Sequence, residues 1–502
     1  MVINKNYKPT IFIVIILLII VKIFVLINFS IKWVDEDQAL LWLTAKDLSR
    51  GLFYQPNFYG QAYSSSLEAL FAVPATWLKV PPNIALPIIT IILSSLPFII
   101  VGLFFIKNNN LLAGILSFLM PLTLNIEYDL ITSMPRGLVT GIFVQSLVII
   151  FFNKTPSTFN GLIISFLTSL AFCINPNSVL LVIPLVFLYL RYNKITKELI
   201  LGFITGLFLG TIVFVSKLNF YNNFPEYIMH KSPKFKFRLD LLDNGLKNIN
   251  IFFDAVTPFN INPSLFFIFF FLLSIYLIYK KKYLFGVMIL LFLLSILASF
   301  GIRKIYDNHY SIFFASERMY LAFPFCLCIM TGIILNQKVK FRKSIKLFLI
   351  FFIVSLTIFK IFNLFSFNKN KNNFKDNTVQ IAKTTAINKN CSIIKDITTK
   401  HEIDYVIYSK WGDNMILNYA CPTLIDDFPK SFLPSSERRI WIKNDFFNQE
   451  NINILVYIVT NKFLKSLKYN NIRYERIKAP EFSIKILNIS GEKFLKLNLK
   501  NF

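Results

Sequence analysis

Long apolar runs, separated by short polar segments, occupy the first three quarters of the chain. Most are long enough to cross a bilayer as a helix, and we predict about eleven membrane-spanning helices. They lie at residues 10–29, 84–106, 111–125, 137–152, 159–174, 178–190, 198–216, 263–279, 283–300, 317–336 and 344–365. The first run has no small-residue cleavage site after it, so we interpret it as a retained membrane helix.

The pattern changes after the last apolar run. Short strand-like runs are predicted at 405–409, 423–425, 452–459, 472–477 and 482–489, with helices at 411–419 and 461–469. Alternating strands and helices favour a small α/β domain over residues 368–502, after a helical membrane domain over residues 1–367. Because this segment has no GxGxxG, P-loop or CxxC pattern, we expect it to bind or cover a site without carrying catalysis itself.

Composition agrees with a polytopic membrane protein. The 502 residues are 55% hydrophobic and 16% aromatic, and the mean hydropathy is +0.56. The formal net charge of +26 would suit a nucleic-acid partner. We exclude that partner because the Lys and Arg residues stand in short clusters between apolar runs, as the positive-inside tendency requires.

Charge also predicts the orientation in a cell (inner) membrane. With the N-terminus in the cytoplasm, the inner loops contain a single acid, Glu198, together with these cations: Lys107, Lys154, Arg191, Lys194, Lys197, Lys280, Lys281, Lys282, Lys338, Lys340, Arg342, Lys343 and Lys346. An odd number of spans then places residues 368–502 outside. Cys391 and Cys421 could form a disulfide there, although the sequence leaves the pairing open.

The first outer loop, residues 30–83, contains the most informative stretch. It opens with Asp35, Glu36 and Asp37, continues as an amphipathic helix that Gly51 ends, and then reads as a Tyr/Gln/Pro/Gly-rich loop. A second short apolar helix is predicted from Leu67 to about Leu78. A carboxylate cluster beside a membrane is costly and so indicates function, although a solvated flanking loop would have the same composition.

Three other outer segments contain charged residues. The first has Glu127, Asp129 and Arg136, the second has a basic aromatic cluster that begins near Lys231, and the third has Arg303 and Arg318. Cations on the outer face oppose the positive-inside tendency. They would bind a lipid phosphate or pyrophosphate, or else the anionic headgroups of the bilayer.

Residues 33–74, with Asp35-Glu36 directly after the first span and Tyr59-Gly60-Gln61-Ala62-Tyr63 further on, resemble the GT-C superfamily of membrane glycosyltransferases. The resemblance is to the branch of protein O-mannosyltransferases and lipid A aminoarabinose transferases. It implies a polyprenyl-phosphate sugar as donor, transfer outside the cytoplasm and an outer C-terminal domain. In the family the first acid is catalytic, which points to Asp35 with Glu36 beside it.

The sequence departs from the aminoarabinose-transferase form at Ser64-Ser65-Ser66, where that form has Lys-Pro-Pro. The departure leaves the acceptor open among a glycan, a lipid and a protein. Glu127-Tyr128-Asp129 is a second acidic site and resembles the metal-binding acid-x-acid motif of oligosaccharyltransferases. Since the polyprenyl-monophosphate branch generally works without a metal, we expect no cofactor, with a divalent ion at Asp35, Glu127 and Asp129 as the alternative.

The resemblance predicts a mechanism with inversion at the anomeric carbon. Asp35 would be the general base. The departing phosphate would be bound by four cations, Arg136, Lys231, Arg303 and Arg318. The sugar or acceptor would contact Tyr59, Gln61 and Tyr63, unless these residues only pack the loop on the membrane surface.

Two other functions suit a polytopic chain with outer cations. One is a lipid-linked sugar transporter or flippase, and the other is a polysaccharide polymerase. Against transport, the spans contain few ionisable residues, with Lys22 the clear exception, and the chain has no symmetric halves. A polymerase usually has its large outer loop late in the chain and needs no α/β domain.

Overall fold

The computed structural model describes residues 8–61, 64–228, 237–302, 316–335, 343–369, 381–409, 413–434, 438–457, 461–470, 472–477 and 483–497. The chain forms two compact units. The helical unit comprises Met1–Ser30, Ile88–Ser216 and Pro233–Asn373, and the mixed unit comprises Ile31–Pro87, Lys217–Ser232 and Phe374–Phe502. The boundary predicted at residues 367 and 368 is not tested by this division and stays a prediction.

The helices of the described residues follow in chain order. They are α1 (Lys8–Val25), α2 (Glu36–Ser49), α3 (Leu67–Trp77), α4 (Pro82–Lys107), α5 (Leu111–Thr123), α6 (Ile126–Ile131), α7 (Thr140–Ser146), α8 (Thr158–Ile174), α9 (Val182–Tyr192), α10 (Lys197–Asn223), α11 (Asp240–Lys247), α12 (Ile249–Phe253), α13 (Pro263–Tyr279), α14 (Tyr283–Phe300), α15 (Phe323–Leu335), α16 (Lys343–Lys369), α17 (Thr384–Lys400), α18 (Asn414–Leu424), α19 (Ile440–Phe447), α20 (Asn461–Tyr469) and α21 (Gly491–Leu495). The first helix continues as a π-helical turn, Leu26–Ser30.

The strands are β1 (Trp33–Asp35), β2 (Ile381–Lys383), β3 (Tyr405–Tyr408), β4 (Lys430–Phe432), β5 (Ile452–Tyr457), β6 (Tyr474–Ile477) and β7 (Ser483–Ile489). They form a two-stranded antiparallel sheet, β1–β2, and a five-stranded mixed sheet in the order β4-β3-β5-β7-β6. In the larger sheet β3 is parallel to β4 and β5, while β7 is antiparallel to β5 and β6.

The protein is a mostly helical, multi-pass membrane protein with a C-terminal mixed-sheet domain, as the sequence predicts. Each of the eleven predicted spans overlaps a helical segment. In the described part of the chain, five helical stretches have the length and apolarity to cross a membrane: Ile11–Ser30, Pro82–Lys107, Lys197–Asn223, Tyr283–Phe300 and Arg318–Leu335. Seven shorter apolar helices accompany them. The inside-outside orientation stays a prediction.

The long helix α10 packs in the helical unit through glycines. Gly202, Gly206 and Gly210 are spaced four residues apart and so share one face, which is buried against α8. A Cβ atom at Gly206 would lie 2.2 Å from the carbonyl oxygen of Leu162. Without a hydrophobic driving force between helices in lipid, such small residues let two backbones approach closely and gain van der Waals contact.

The core of the mixed unit is the larger sheet, in which β3 is buried on both faces. Ile454, Val456, Ile484 and Ile486 are fully buried in it. The disulfide left open by the sequence is present: Cys391 on α17 bonds to Cys421 on α18. It closes a loop with a sequence separation of 30 residues, and such a bond typically stabilises a fold by about 3 kcal/mol.

One predicted element of the mixed unit is wrong. Residues 423–425 were expected to form a strand, but α18 extends to Leu424. The hydroxyl of Thr423 donates to the carbonyl oxygen of Tyr419 at 2.8 Å, a contact typical of a residue within a helical turn. A run of three residues such as Thr423-Leu424-Ile425 is too short to show a periodicity that separates strand from helix.

The glycine packing of α10 predicts a large effect of added volume. We expect Gly206→Val to lower the free energy of unfolding by about 3 kcal/mol, because its side chain would meet the backbone of α8. Thermal unfolding of the purified protein in detergent would measure the change. Leu207→Val, at a neighbouring side chain that is 59% exposed, is the control and should change stability by less than about 1 kcal/mol. Equal stability of the two variants would contradict the packing.

Candidate active site

Asp35 stands where β1 ends and α2 begins. The β1–β2 ladder pairs it with Ile381, and its side chain caps α2. The backbone N–H of Gln38 donates to Asp35 Oδ1 at 2.8 Å. The backbone N–H of Asp35 donates to Gln38 Oε1 at 2.9 Å, which completes a capping box. Asp35 is fully buried, and the helix N-terminus stabilises its negative charge. The cap therefore fixes the direction of the carboxylate.

The next two acids bind one arginine from the C-terminal segment. Arg438 Nη1 lies 2.7 Å from Asp37 Oδ1, and Arg438 Nε lies 3.4 Å from Glu36 Oε1. Burial opposes the guanidinium charge, but the carboxylates of Glu36 and Asp37 outweigh it and raise the pKa of Arg438 above its usual value. All three acids that open α2 are thus held in place, one by the helix cap and two by Arg438.

The loop after α2 is shaped around the same arginine. The guanidinium lies over the ring of Phe58, with Cζ 5.9 Å from the ring centroid. Gly60 has a φ of +80°, and a Cβ atom there would lie 2.8 Å from Arg438 Cγ. Glycine is required at this position by its conformation and by the close approach of Arg438. At Gly51, which ends α2 with a φ of +78°, no atom lies within 4 Å of such a Cβ.

A second pair, of a buried tyrosine and a half-buried carboxyl group, lies at the other end of α2. The hydroxyl of Tyr59 donates to Asp47 Oδ2 at 3.0 Å, and Tyr59 is only 2% exposed. Burial raises the pKa of Asp47 to about 6, although the Tyr59 hydroxyl and then Arg439 oppose the shift. Burial and the Asp47 charge raise the pKa of Tyr59 as well. In this pair the Tyr59 hydroxyl is the hydrogen-bond donor, and Asp47, a carboxyl group with a raised pKa, is the acceptor.

Aromatic rings surround this pair. Trp441 stacks on Tyr54 with ring centroids 4.1 Å apart, and it meets Tyr59 edge to face at 4.9 Å. Tyr227 stacks near Trp441 at 5.8 Å. Trp441 lies in the first turn of α19 and so connects the loop after α2 with the C-terminal sheet domain. Tyr59, expected at a sugar pocket, is packed among these rings.

Arg439 holds the neighbouring elements of the sheet domain. Its Nη2 donates to the carbonyl oxygen and the side-chain Oδ1 of Asn418, at 3.2 and 3.1 Å, and also to the carbonyl oxygen of Ser431. Its guanidinium lies over the ring of Tyr419. Arg439 thus fixes α18 against β4, while Arg438 reaches α2. The two adjacent arginines therefore stabilise different parts of the mixed unit.

The remaining expected residues that the structure describes are in the helical unit. Asp129 is fully buried and forms ion pairs with Lys22 and Lys360. Burial and then Asp254 raise the pKa of Glu127. Arg136 is 8% exposed and follows α6, and Arg318 lies in the 3-10 turn Ser316–Tyr320. Asp35 and Glu36 belong to the mixed unit, so the two acidic sites are in different units.

The half-buried Gln61 closes a turn, with its N–H bonded to the carbonyl oxygen of Phe58. Tyr63, Lys231 and Arg303 lie outside the described residues. The roles expected for the site residues stay predictions.

Sequence reasoning missed three basic residues near these acids, Lys360, Arg438 and Arg439, and also Trp441, which packs on Tyr54 and Tyr59. A usable signal existed in two places. Arg438-Arg439 followed by Trp441 is an unusual run in an otherwise mixed segment, and Lys360 interrupts the last apolar span. Neither signal names its partner, because the pairing joins residues hundreds of positions apart.

Comparisons with known proteins find similarity at the level of the fold. The chain is similar to the crystal structure of ArnT from Cupriavidus metallidurans in the apo state, with a TM-score of 0.45 and 9% identity. It is also similar to ArnT from the same organism bound to undecaprenyl phosphate, with a TM-score of 0.46 and 11% identity. Each alignment covers 95% of this chain and 98% of the other. No family profile and no curated protein matches the sequence.

The Arg438 pairing predicts a strong loss of stability when the cation is removed. We expect Arg438→Met to lower the free energy of unfolding by about 3 kcal/mol, because two largely buried carboxylates lose their guanidinium. Thermal unfolding would measure the loss. Adding Asp37→Asn should recover part of it, and a purely additive double variant would argue against the pairing. Lys430→Met, which breaks an exposed pair with Asp445, is the control and should cost less than about 1 kcal/mol.

The raised pKa of Asp47 predicts a pH dependence. An acid with a higher pKa in the folded state than in the unfolded state favours folding when protonated. Its contribution, about 3 kcal/mol for a rise from 3.8 to about 6, is fully present below pH 4 and is lost as pH rises through 6. Relative to Asp47→Asn, wild-type stability should therefore fall between pH 4 and 6. Thermal unfolding across this range is the measurement.

Asp243→Asn, at an exposed carboxylate, is the matched control for Asp47→Asn and should follow the wild-type pH profile. A constant difference between wild type and Asp47→Asn from pH 4 to 7 would show that Asp47 does not titrate in this window.

Proposed function

We propose that this protein is a membrane glycosyltransferase that moves a sugar from a polyprenyl-phosphate donor to an acceptor outside the cytoplasm. The observation that carries the proposal is the buried acidic start of α2. Three carboxylates directly follow the first membrane helix, and the fold holds them by a helix cap and a buried arginine. Desolvating such a cluster beside a membrane is costly, and this cost supports a role of the cluster in chemistry.

In this proposal Asp35 is the general base. It takes the proton from an acceptor hydroxyl or amine while that atom bonds to the anomeric carbon of the sugar. The bond from that carbon to the phosphate oxygen breaks, and the polyprenyl phosphate leaves with the electron pair. A single displacement inverts the anomeric configuration. Glu36, held by Arg438, lies next to the base and keeps its surroundings polar.

The leaving phosphate needs cations, and Arg136 and Arg318 are the candidates in the described part of the helical unit. An arginine offers two parallel hydrogen bonds and a fixed charge to a phosphate. Lys231 and Arg303 stay candidates from the sequence. These cations do not identify the sugar or the acceptor. Gln61 and Tyr63 remain the candidates for contact with the sugar or the acceptor.

The orientation in the membrane belongs to the same proposal. We place the N-terminus in the cytoplasm and residues 368–502 outside the cell membrane. The Cys391–Cys421 disulfide supports this placement, because disulfides persist in oxidising compartments. The clustering of Lys and Arg in the loops assigned to the cytoplasm supports it independently.

Asp35→Asn separates catalysis from folding. Asn caps helices as well as Asp, so the variant should keep its melting temperature while it loses the base. We expect transfer of radiolabelled sugar from polyprenyl phosphate to fall by about 10²–10⁴-fold in membranes. Wild-type transfer by a well-folded Asp35→Asn protein would overturn the assignment of the base.

Gln38→Ala is the matched control for Asp35→Asn. It removes the other half of the capping box but retains the Asp35 carboxylate. We expect it to lower the melting temperature by a few degrees and to leave transfer within about tenfold of wild type. Asp35→Asn should therefore lose activity while keeping its stability, and Gln38→Ala should lose stability while keeping most of its activity.

A further inference from the structure

Three ionisable side chains meet inside the helical unit, where apolar helices surround them. Lys22 Nζ lies 2.8 Å from Asp129 Oδ1, and Lys360 Nζ lies 2.6 Å from Asp129 Oδ2. The side chains are 5%, 4% and 1% exposed for Lys22, Lys360 and Asp129, respectively. Each oxygen of one carboxylate therefore has its own ammonium group, and the three residues form a closed network away from water.

The network joins three separate elements. Lys22 lies on α1, the first membrane helix, and Lys360 lies on α16, the last one. Asp129 lies on α6, the six-residue helix after α5. Helices α1, α5, α6 and α16 pack against one another in this region. Side chains from the first and the last of these helices thus converge on Asp129.

The two lysines exceed the single carboxylate by one positive charge, and the fold compensates for it. Lys360 also donates to the carbonyl oxygens of Pro121 and Leu124, at the C-terminal end of α5. That end of a helix has a partial negative charge and favours a cation. Lys360 therefore has partners besides Asp129, whereas the ammonium group of Lys22 depends on Asp129.

We propose that Lys22, Asp129 and Lys360 form a buried ionic clamp that fixes the first and the last membrane helix to α6. A lysine within a membrane helix is costly unless it finds a partner in the protein. Both ammonium groups find theirs in Asp129. The clamp assigns Asp129 to holding the helices together, and it gives the acid-x-acid element of α6 a structural function that does not need a metal.

The clamp makes the three residues unequal in their effect on stability. Removing Asp129 leaves two buried cations with no carboxylate, whereas removing either lysine leaves a neutral pair. We expect Asp129→Asn to lower the melting temperature in detergent by about 5–10 °C, and Lys22→Met or Lys360→Met to lower it by less. Asp243→Asn, in an exposed pair with Lys247, should shift it by less than about 2 °C.

The triple variant Lys22→Met/Asp129→Asn/Lys360→Met tests the clamp against simple disruption of the core. Without charges, no desolvation is left uncompensated, so the melting temperature should return at least halfway to wild type. Such recovery supports the clamp. The clamp proposal is overturned if Asp129→Asn melts at the wild-type temperature, or if the triple variant is no more stable than Asp129→Asn.

Sugar transfer by the triple variant provides a second readout, separate from the test of Asp35. If the variant recovers its melting temperature and also transfers sugar, Asp129 acts through the fold alone. If it is as stable as wild type but transfers no sugar, the carboxylate takes part in the chemistry, and its assignment to the clamp alone is overturned. Neither outcome depends on Asp35→Asn, whose expected loss of activity comes without loss of stability.

Discussion

The contact of Arg438 with Glu36 and Asp37 is the interaction on which the mixed unit depends. It joins two segments that are 401 residues apart in sequence. Because burying carboxylates without a partner is costly, the C-terminal segment stabilises the start of α2 through this contact. Phe58, Gly60 and the start of α2 are all arranged around Arg438.

The same rule governs the helical unit with opposite signs. In the mixed unit one cation serves two carboxylates, and in the helical unit one carboxylate serves two cations. In both units a helix end completes the balance of charge. The N-terminus of α2 supports Asp35, and the C-terminal carbonyls of α5 accept from Lys360.

Much of this arrangement could be predicted from local sequence. Apolar length predicts the membrane helices, and the acids and Gly51 place α2 within about two residues of its observed limits, Glu36–Ser49. Alternation predicts β3, β5, β6 and β7. The partners of the charged residues could not be predicted, because periodicity carries no information about contacts between distant segments. Thus Asp35 and Glu36 could be proposed as site residues from the sequence, whereas the partners of Arg438 and Lys360 could not be identified.

The discontinuity of the mixed unit has a consequence for biosynthesis. At about 5–20 residues per second, Arg438 is synthesised roughly 20–80 s after Asp37. During that interval the acids at the start of α2 have been synthesised but lack the arginine that two of them bind. These acids can form their ion pairs with Arg438 only after nearly the whole chain has been synthesised. A chain truncated before residue 438 would contain all three acids at the start of α2 but not the arginine that binds two of them.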